Sequence, residues 1–202
     1  MYTRILSIIA CTVIAFGAMA AETASSVLKH VVDQMSSSPV QAAFTVTGSG
    51  MSQDGAITMS GNKFVVTTSD LSTWYDGKTQ WTLSQAVKEV NVTEPSREEL
   101  AEINPLIILS ALSSRFSAEM GQSTADSYSI LLSRRDNDTG IASATVRVNA
   151  TTWNPVAITI VTSTGERFTI DIKSIKKLKS ITDSTFRFNP ALYPGVEVID
   201  LR

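Results

Sequence analysis

Residues 73–82 read TWYDGKTQWT, and this stretch decides the fold class. Two aromatic segments flank Asp76-Gly77, and an Asp-Gly pair between alternating apolar residues is the strongest short-range signal for a β-hairpin. On both sides of the stretch, apolar residues alternate with Ser and Thr, a pattern that predicts half-buried strands. The sequence therefore predicts a large antiparallel sheet with an outward face rich in Ser and Thr.

The period-two pattern predicts about nine or ten strands in meander order. They begin at residue 40 and continue through residues 56–60, 63–69, the flanks of Asp76-Gly77, 89–93, 127–134, 141–149, 157–162 and 167–175. The residues Gln53-Asp54-Gly55 are predicted as a hairpin turn, because they contain a second Asp-Gly pair. A sheet this wide tends to curl into a barrel or a half-barrel, and its concave face then needs a cover.

Two segments have the apolar pattern that such a cover requires. Residues 24–37 are predicted as a helix that Thr23 or Ser25 caps, with His30 on its surface side and a Ser-Ser-Ser-Pro stretch at its end. Its apolar stripe consists of Val27, Leu28, Val31, Val32 and Met35.

The second segment is predicted to form a helical pair over residues 96–116. Ser96 and Glu99 make a capping box, and Asn104-Pro105 starts the next helix. The following residues, LIILSAL at 106–112, are apolar nearly all round. Such a helix must be buried on most sides or lie in an apolar cavity.

The amino terminus has the pattern of an export signal. Arg4 precedes an apolar run over residues 5–16, and small residues stand at Ala18 and Ala20. We predict a signal peptide over residues 1–20, cleaved after Ala20, and a single domain over residues 21–202. A membrane anchor and a lipoprotein cleavage site at Cys11 are the alternatives.

Composition excludes several classes of function. A formal net charge of −2 argues against a nucleic-acid binder, and one Cys with one His leaves no internal disulfide and no Cys/His zinc site. No nucleophile–base pair, phosphate-binding loop or dinucleotide fingerprint is present, so no enzyme activity, metal or cofactor is predicted. One basic cluster is predicted to be a solvated loop, a protected edge strand or a docking patch for an acidic partner. It contains Lys173, Lys176, Lys177 and Lys179.

Three stretches together resemble the periplasmic lipoprotein carriers of the LolA-like family. They are GAITMSGNKF at 55–64, WYDGKTQW at 74–81, and FRFNP at 186–190 with PGVEVI at 194–199. Their order and spacing are similar to those of the family, and WYDGKTQW followed by EVNV at 89–92 looks closest to its Bacteroidetes branch. Better-known members have Lys-Arg-Pro where this chain has Ser60-Gly61, so no lid-locking arginine is carried over.

The resemblance implies an α+β, mainly β fold: a curled antiparallel sheet that forms a half-open barrel with a helical lid. It implies a monomeric, non-enzymatic periplasmic carrier that holds lipoprotein acyl chains and delivers them toward the outer membrane. The partners would be lipoprotein acyl chains and an inner-membrane lipoprotein-release complex; the sequence leaves open whether an outer-membrane acceptor exists. Two other classes remain open: a binder of free lipid or another apolar ligand, or an envelope-stress sensor, on the same fold; and a secreted hydrolase with an unfamiliar site.

Ten apolar residues are candidates for contact with an acyl chain, with ordinary core packing as the alternative for each. The predicted concave wall contains Phe44, Val46, Met59, Phe64, Trp74 and Trp81, and the predicted lid contains Leu106, Ile107, Leu109 and Leu112. Alternation tells which neighbours point to opposite faces, and it leaves open which face is concave.

Overall fold

A computed structural model describes residues 22–96, 99–100, 116–135 and 140–202 of the chain. Within these ranges, helix α1 (Ala24–Ser36) precedes twelve strands, and residues 99–100 are also helical. The strands are β1 (Val40–Gly48), β2 (Met51–Ser60), β3 (Lys63–Thr68), β4 (Leu71–Tyr75), β5 (Gln80–Ser84), β6 (Glu89–Thr93), β7 (Phe116–Met120), β8 (Ser127–Arg134), β9 (Ile141–Asn149), β10 (Pro155–Thr162), β11 (Arg167–Lys177) and β12 (Glu197–Asp200). Short 3₁₀ turns cover Asp183–Phe186 and Pro190–Leu192.

All the strands belong to one sheet, in the order β12-β6-β5-β4-β3-β2-β1-β11-β10-β9-β8-β7. Neighbours along the chain pair antiparallel within β1–β6 and within β7–β11, and β1 pairs with β11 to join the two meanders. Strand β12 lies parallel to β6 at one edge, and β7 forms the other edge. The sheet is curled and unclosed, which confirms the predicted α+β half-open barrel with a helical lid.

Helix α1 packs on the concave face of this sheet. Thr23 is its N-cap: the Thr23 hydroxyl accepts a hydrogen bond from Ser26 N (3.1 Å), and the Ser26 hydroxyl accepts one from Thr23 N (2.9 Å). The predicted stripe is buried except for Val32, which is half-buried, and it joins strand residues in one core cluster. His30 is exposed, as predicted, and its ring lies 4.3 Å from that of Trp153 between centroids.

The predicted turn at residues 53–55 is wrong. These residues lie inside β2, and the β1–β2 turn is at Ser49 and Gly50, whose φ angles are 49° and 77°. Gly55 is in the strand because the ring of Phe44, its cross-strand partner, occupies the space of a side chain: an added Cβ would stand 2.5 Å from Phe44 Cζ. Asp54 accepts a hydrogen bond from the Thr45 hydroxyl (2.6 Å).

The basic cluster lies at the end of β11 and just after it. Strand β10 pairs with Arg167–Asp171 only, so the second half of β11 has β1 on one side and no strand partner on the other among the described residues. Lysines on an exposed strand edge discourage pairing with another chain. This position favours the protected edge strand among the three interpretations of the cluster.

None of the helices in the described part of the chain is long and apolar enough to cross a membrane. The predicted signal peptide over residues 1–20 lies outside the described residues.

Candidate functional site

Strand register divides the predicted wall residues between the two faces of the sheet. Phe44 and Val46 on β1 share a face with Met59 on β2 and Phe64 on β3, because Val40 pairs with Met59 and Met59 pairs with Phe64. This face also carries the core cluster that contains the buried stripe of α1. The structure therefore brings these four residues together on the concave side.

Burial varies along that face. Met59 and Phe64 are buried near α1, whereas Phe44 and Val46 are half-buried further along β1. The ring of Tyr75 lies next to that of Phe64, with centroids 5.4 Å apart, and this burial, with the nearby Asp76 carboxylate, raises the pKa of Tyr75. The concave face is thus closed beside α1 and opens toward the β1–β2 turn.

Trp74 and Trp81 lie on the opposite face. They pair directly with each other across β4 and β5, and Trp74 belongs to a second apolar cluster that the carboxy-terminal segment covers. The Trp74 ring centroid is 5.5 Å from that of Phe188 and 5.6 Å from that of Tyr193. These two tryptophans therefore do not share a wall with the other four predicted residues.

A groove of ≈ 340 Å³ is present where the concave face opens. It is lined by Val46, Gly48, Met51, Ser52, Gln53, Ser69, Asp70 and Phe168. The polar part of the lining is connected: Gln53 donates a hydrogen bond to the Ser69 hydroxyl (3.0 Å), which donates to Asp70 (2.7 Å). Phe168 pairs with Gly48 across β11 and β1, and its ring lies over that glycine.

Sequence reasoning missed Met51, Phe168 and Gly48 as groove residues. Met51 pairs with Gly48 across β2 and β1, so all three belong to the concave face. The alternation through Phe44 and Val46 contained the signal that leads to Gly48. The turn predicted at residues 53–55 placed Met51 outside any strand and hid its face.

A larger depression of ≈ 580 Å³ lies near the β12 edge. Its lining consists of Gln80, Thr93, Glu94, Pro95, Glu99, Leu201 and Arg202. Because most of these side chains are polar or charged, this depression suits an apolar ligand poorly.

The predicted lid residues Leu106, Ile107, Leu109 and Leu112 lie outside the described residues. On either side of them, Leu100 and Phe116 are both buried in the core cluster that includes α1. The two described flanks of the chain between β6 and β7 thus meet the concave core.

The predicted capping box at Ser96 is present. Ser96 N donates to the Glu99 carboxylate (2.7 Å), and Glu99 N donates to the Ser96 hydroxyl (3.2 Å). The hydrogen bond from Ser96 N, followed by the contact with its hydroxyl, lowers the pKa of Glu99 below its ordinary value.

Within the described ranges, no group of His, Cys, Asp and Glu side chains is placed to hold a metal ion. What the site offers is apolar surface: a half-buried strand face, a groove at its open end and buried anchors for the segment that joins β6 to β7.

Comparison with known proteins gives a match to one protein family. The family described as outer membrane lipoprotein carrier protein LolA matches residues 14–166, more than half of the chain. No curated protein sequence gives a match. The Bacteroidetes branch stays a prediction, because no comparison assigns one.

Solved structures share the fold. An uncharacterized conserved protein from Thermus thermophilus superposes with a TM-score of 0.61 at 13% identity, over 88% of this chain and 98% of that one. A LolA superfamily protein from Nitrosomonas europaea has a TM-score of 0.46 at 13% identity, over 83% of this chain and 99% of that one. At such low identity, the likeness to the Thermus thermophilus protein concerns the fold alone.

Proposed function

This chain belongs to the family of the outer membrane lipoprotein carrier protein LolA, and on that premise we propose that it is a periplasmic carrier. It binds the acyl chains of lipoproteins on its concave face and delivers them toward the outer membrane. The observation that supports this best is the apolar face that runs from the buried core beside α1 to the open groove at Val46 and Phe168.

The energetics of an acyl chain explain why such a carrier is needed. Burial of each CH₂ is worth about 0.8 kcal/mol, so a chain of about 16 carbons is held by roughly 12 kcal/mol relative to water. Spontaneous release into water is therefore negligible. The cargo must pass directly from one apolar site to the next: from a release complex on the inner membrane to this carrier, and from this carrier to an acceptor at the outer membrane or to the bilayer itself.

We assign the contact with the acyl chain to the concave wall. Phe44 and Val46 meet the chain first, because they are half-buried next to the groove. Met59 and Phe64 form the deeper floor beside α1. The lid contacts are Leu106, Ile107, Leu109 and Leu112, between the buried anchors Leu100 and Phe116. Trp74 and Trp81 are left out, because they lie on the opposite face.

A pair of variants on neighbouring residues of β1 tests this assignment. Val46→Asp places a charge on the concave face, whereas Thr47→Asp places the same charge on the opposite face of the same strand. Each variant is expressed in the periplasm, purified and examined by mass spectrometry for bound acylated protein. We expect the wild type and Thr47→Asp to retain acylated protein and Val46→Asp to lose it, with all three folded by circular dichroism.

The outcomes separate the candidate functions. Retention of acylated protein by Val46→Asp would place the site elsewhere. Free phospholipid instead of acylated protein in the wild type would favour the second candidate, a binder of free lipid. The polar lining at Gln53, Ser69 and Asp70 favours that candidate, because it offers hydrogen-bonding groups to a headgroup beside the apolar wall.

A further inference from the structure

Three consecutive hairpins on one half of the open end carry exposed apolar side chains. They belong to Met51 next to the β1–β2 turn, Leu71 next to the β3–β4 turn and Val87 in the β5–β6 turn, with exposed fractions of 70%, 47% and 61%. At a strand spacing of about 4.8 Å, they extend over about 20 Å. We call these three residues the apolar rim.

The rim contrasts with three other described turns. At the same end, the β10–β11 turn consists of Ser, Thr, Gly and Glu at residues 163–166. At the opposite end, Gly61-Asn62 and residues 76–79 form polar turns. Residues in and next to hairpin turns are normally polar. Three adjacent hairpins that each expose an apolar side chain beside the groove therefore need an explanation.

The backbone holds these tips in place. Ser49 and Gly50 adopt left-handed φ angles of 49° and 77° in the β1–β2 turn, and Lys88 has a φ of 55° after Val87. Gln85 N donates a hydrogen bond to the Asp70 carbonyl oxygen (2.9 Å), which ties the β5–β6 hairpin to the β3–β4 hairpin. The rim is therefore preorganised and needs no ordering on contact with a partner.

We propose that the apolar rim inserts into the interfacial region of a lipid bilayer. A stable protein interface buries roughly 800 Å² per partner, and three separate side chains offer far less. The rim therefore suits a bilayer better than a protein partner. Polar residues between them, including Ser69 and Gln85, suit contact with headgroups while the apolar tips reach the acyl region. The charges nearby are Asp54, Asp70, Lys88 and Glu89, so apolar insertion, without any attraction to anionic lipid, supplies the affinity.

The position of the rim connects membrane insertion with transfer of the acyl chain. Met51 belongs to the rim and also lines the groove. A tail that leaves the groove past Met51 therefore enters the bilayer without crossing water. This purpose rests on the proposed carrier function, whereas membrane insertion itself does not.

A fluorescent probe tests insertion directly. The chain's one cysteine, Cys11, lies in the predicted signal peptide. In the processed protein, Val87→Cys is therefore the single thiol, and it is labelled with an environment-sensitive nitrobenzoxadiazole dye. Leu192→Cys, exposed in the carboxy-terminal segment, is the matched control. On addition of neutral phosphatidylcholine vesicles, we expect a blue shift and brighter emission from the rim probe alone. No shift at Val87, or an equal shift at both positions, overturns the proposal.

A second pair of variants measures the affinity. Leu71→Ser/Val87→Ser is expected to weaken vesicle binding by about tenfold, whereas Leu192→Ser/Val198→Ser leaves it unchanged. Equal binding by both variants overturns the proposal. Because Leu71 and Val87 do not line the groove, the rim variant still copurifies with acylated protein if the carrier proposal holds. Vesicle binding without any bound acylated protein would refute the carrier function and leave the rim in place.

Discussion

Gly48 and Gly55 give the concave face its local shape, because an aromatic ring takes the place of each missing side chain. An added Cβ at Gly48 would stand 2.5 Å from Phe168 Cδ1 and 2.7 Å from the Arg167 carbonyl oxygen. Glycine inside a strand commonly marks such a close approach. The two rings fill space that would otherwise widen the groove.

Gly48→Ala is expected to destabilise the protein by about 1–3 kcal/mol through overpacking. Alanine also lowers the conformational entropy of the unfolded chain, which stabilises the folded protein by only about 0.4–1 kcal/mol. The clash with the Arg167 carbonyl oxygen is the larger effect, so the net change is destabilising. Urea denaturation measures the change. Thr47→Ala, on the opposite face of the same strand, is the control, and its stability should change by no more than about 0.5 kcal/mol. A Gly48→Ala protein as stable as the wild type would mean that the Phe168 ring does not occupy this space.

Ser96→Ala retains the backbone N–H of residue 96, which is the larger cause of the lowered pKa of Glu99, and removes only the hydroxyl. The pKa of Glu99 is therefore expected to rise part of the way toward its ordinary value of 4.5. Ser96 N and its hydroxyl hold that pKa down, so the Glu99 carboxylate stabilises the helix start above pH 4.5. This contribution disappears as the pH falls through the lowered pKa. Carboxyl ¹³C titration by NMR measures the shift, and Ser117→Ala is the control. An unchanged Glu99 titration in Ser96→Ala would contradict the contribution of the Ser96 hydroxyl to the capping box.

At the scale of elements, the carboxy-terminal segment over residues 183–196 covers the outer face of strands β4–β6. We call this segment the strap. Phe188, Tyr193 and Val196 pack on the cluster around Trp74. Ion pairs hold the start of the strap: Lys63 with Asp183 (2.8 Å) and Arg187 with Asp76 (3.0 Å). The Lys63 ammonium lowers the pKa of Asp183.

Tyr193→Ala is expected to cost about 1–3 kcal/mol of stability and to shift tryptophan emission to the red, because it uncovers Trp74. Leu192→Ala, next to it but 71% exposed, should change stability by less than about 0.5 kcal/mol. Fluorescence spectra and urea midpoints of the two variants give the answer. Unshifted emission from Tyr193→Ala would show that the strap does not shield the tryptophan.

Most strands could be predicted because their alternation of apolar residues with Ser and Thr is regular. Strand β7 was missed, since FSAEM contains few strand-favouring residues and gains its place by pairing with β8. The predicted turn at residues 53–55 is wrong because Gly55 makes room for the Phe44 ring, and the sequence does not distinguish such a glycine from a turn glycine. The face of Trp74 could not be assigned, because alternation fixes relative orientation only and the strap that buries it is distant in the chain.

At the scale of the whole molecule, Leu100 and Phe116, which flank residues 101–115, both reach the concave core. Leu109→Asp, within the proposed lid, is expected to abolish copurification of acylated protein and to leave the sheet folded. Mass spectrometry of the purified protein measures bound cargo, circular dichroism measures the fold, and Leu109→Met is the conservative control. Normal carriage by Leu109→Asp would remove residues 106–112 from the site.

The two outermost strands, β7 and β12, are not neighbours in the described sheet. In a closed barrel, hydrogen bonds around the whole circumference fix the diameter. In this sheet, the described edge strands β7 and β12 are not hydrogen-bonded to each other, so the diameter is not fixed in that way. An open sheet of this kind can untwist without breaking a backbone hydrogen bond between its strands. If the carrier proposal holds, acyl chains of different bulk can therefore occupy the same enclosure.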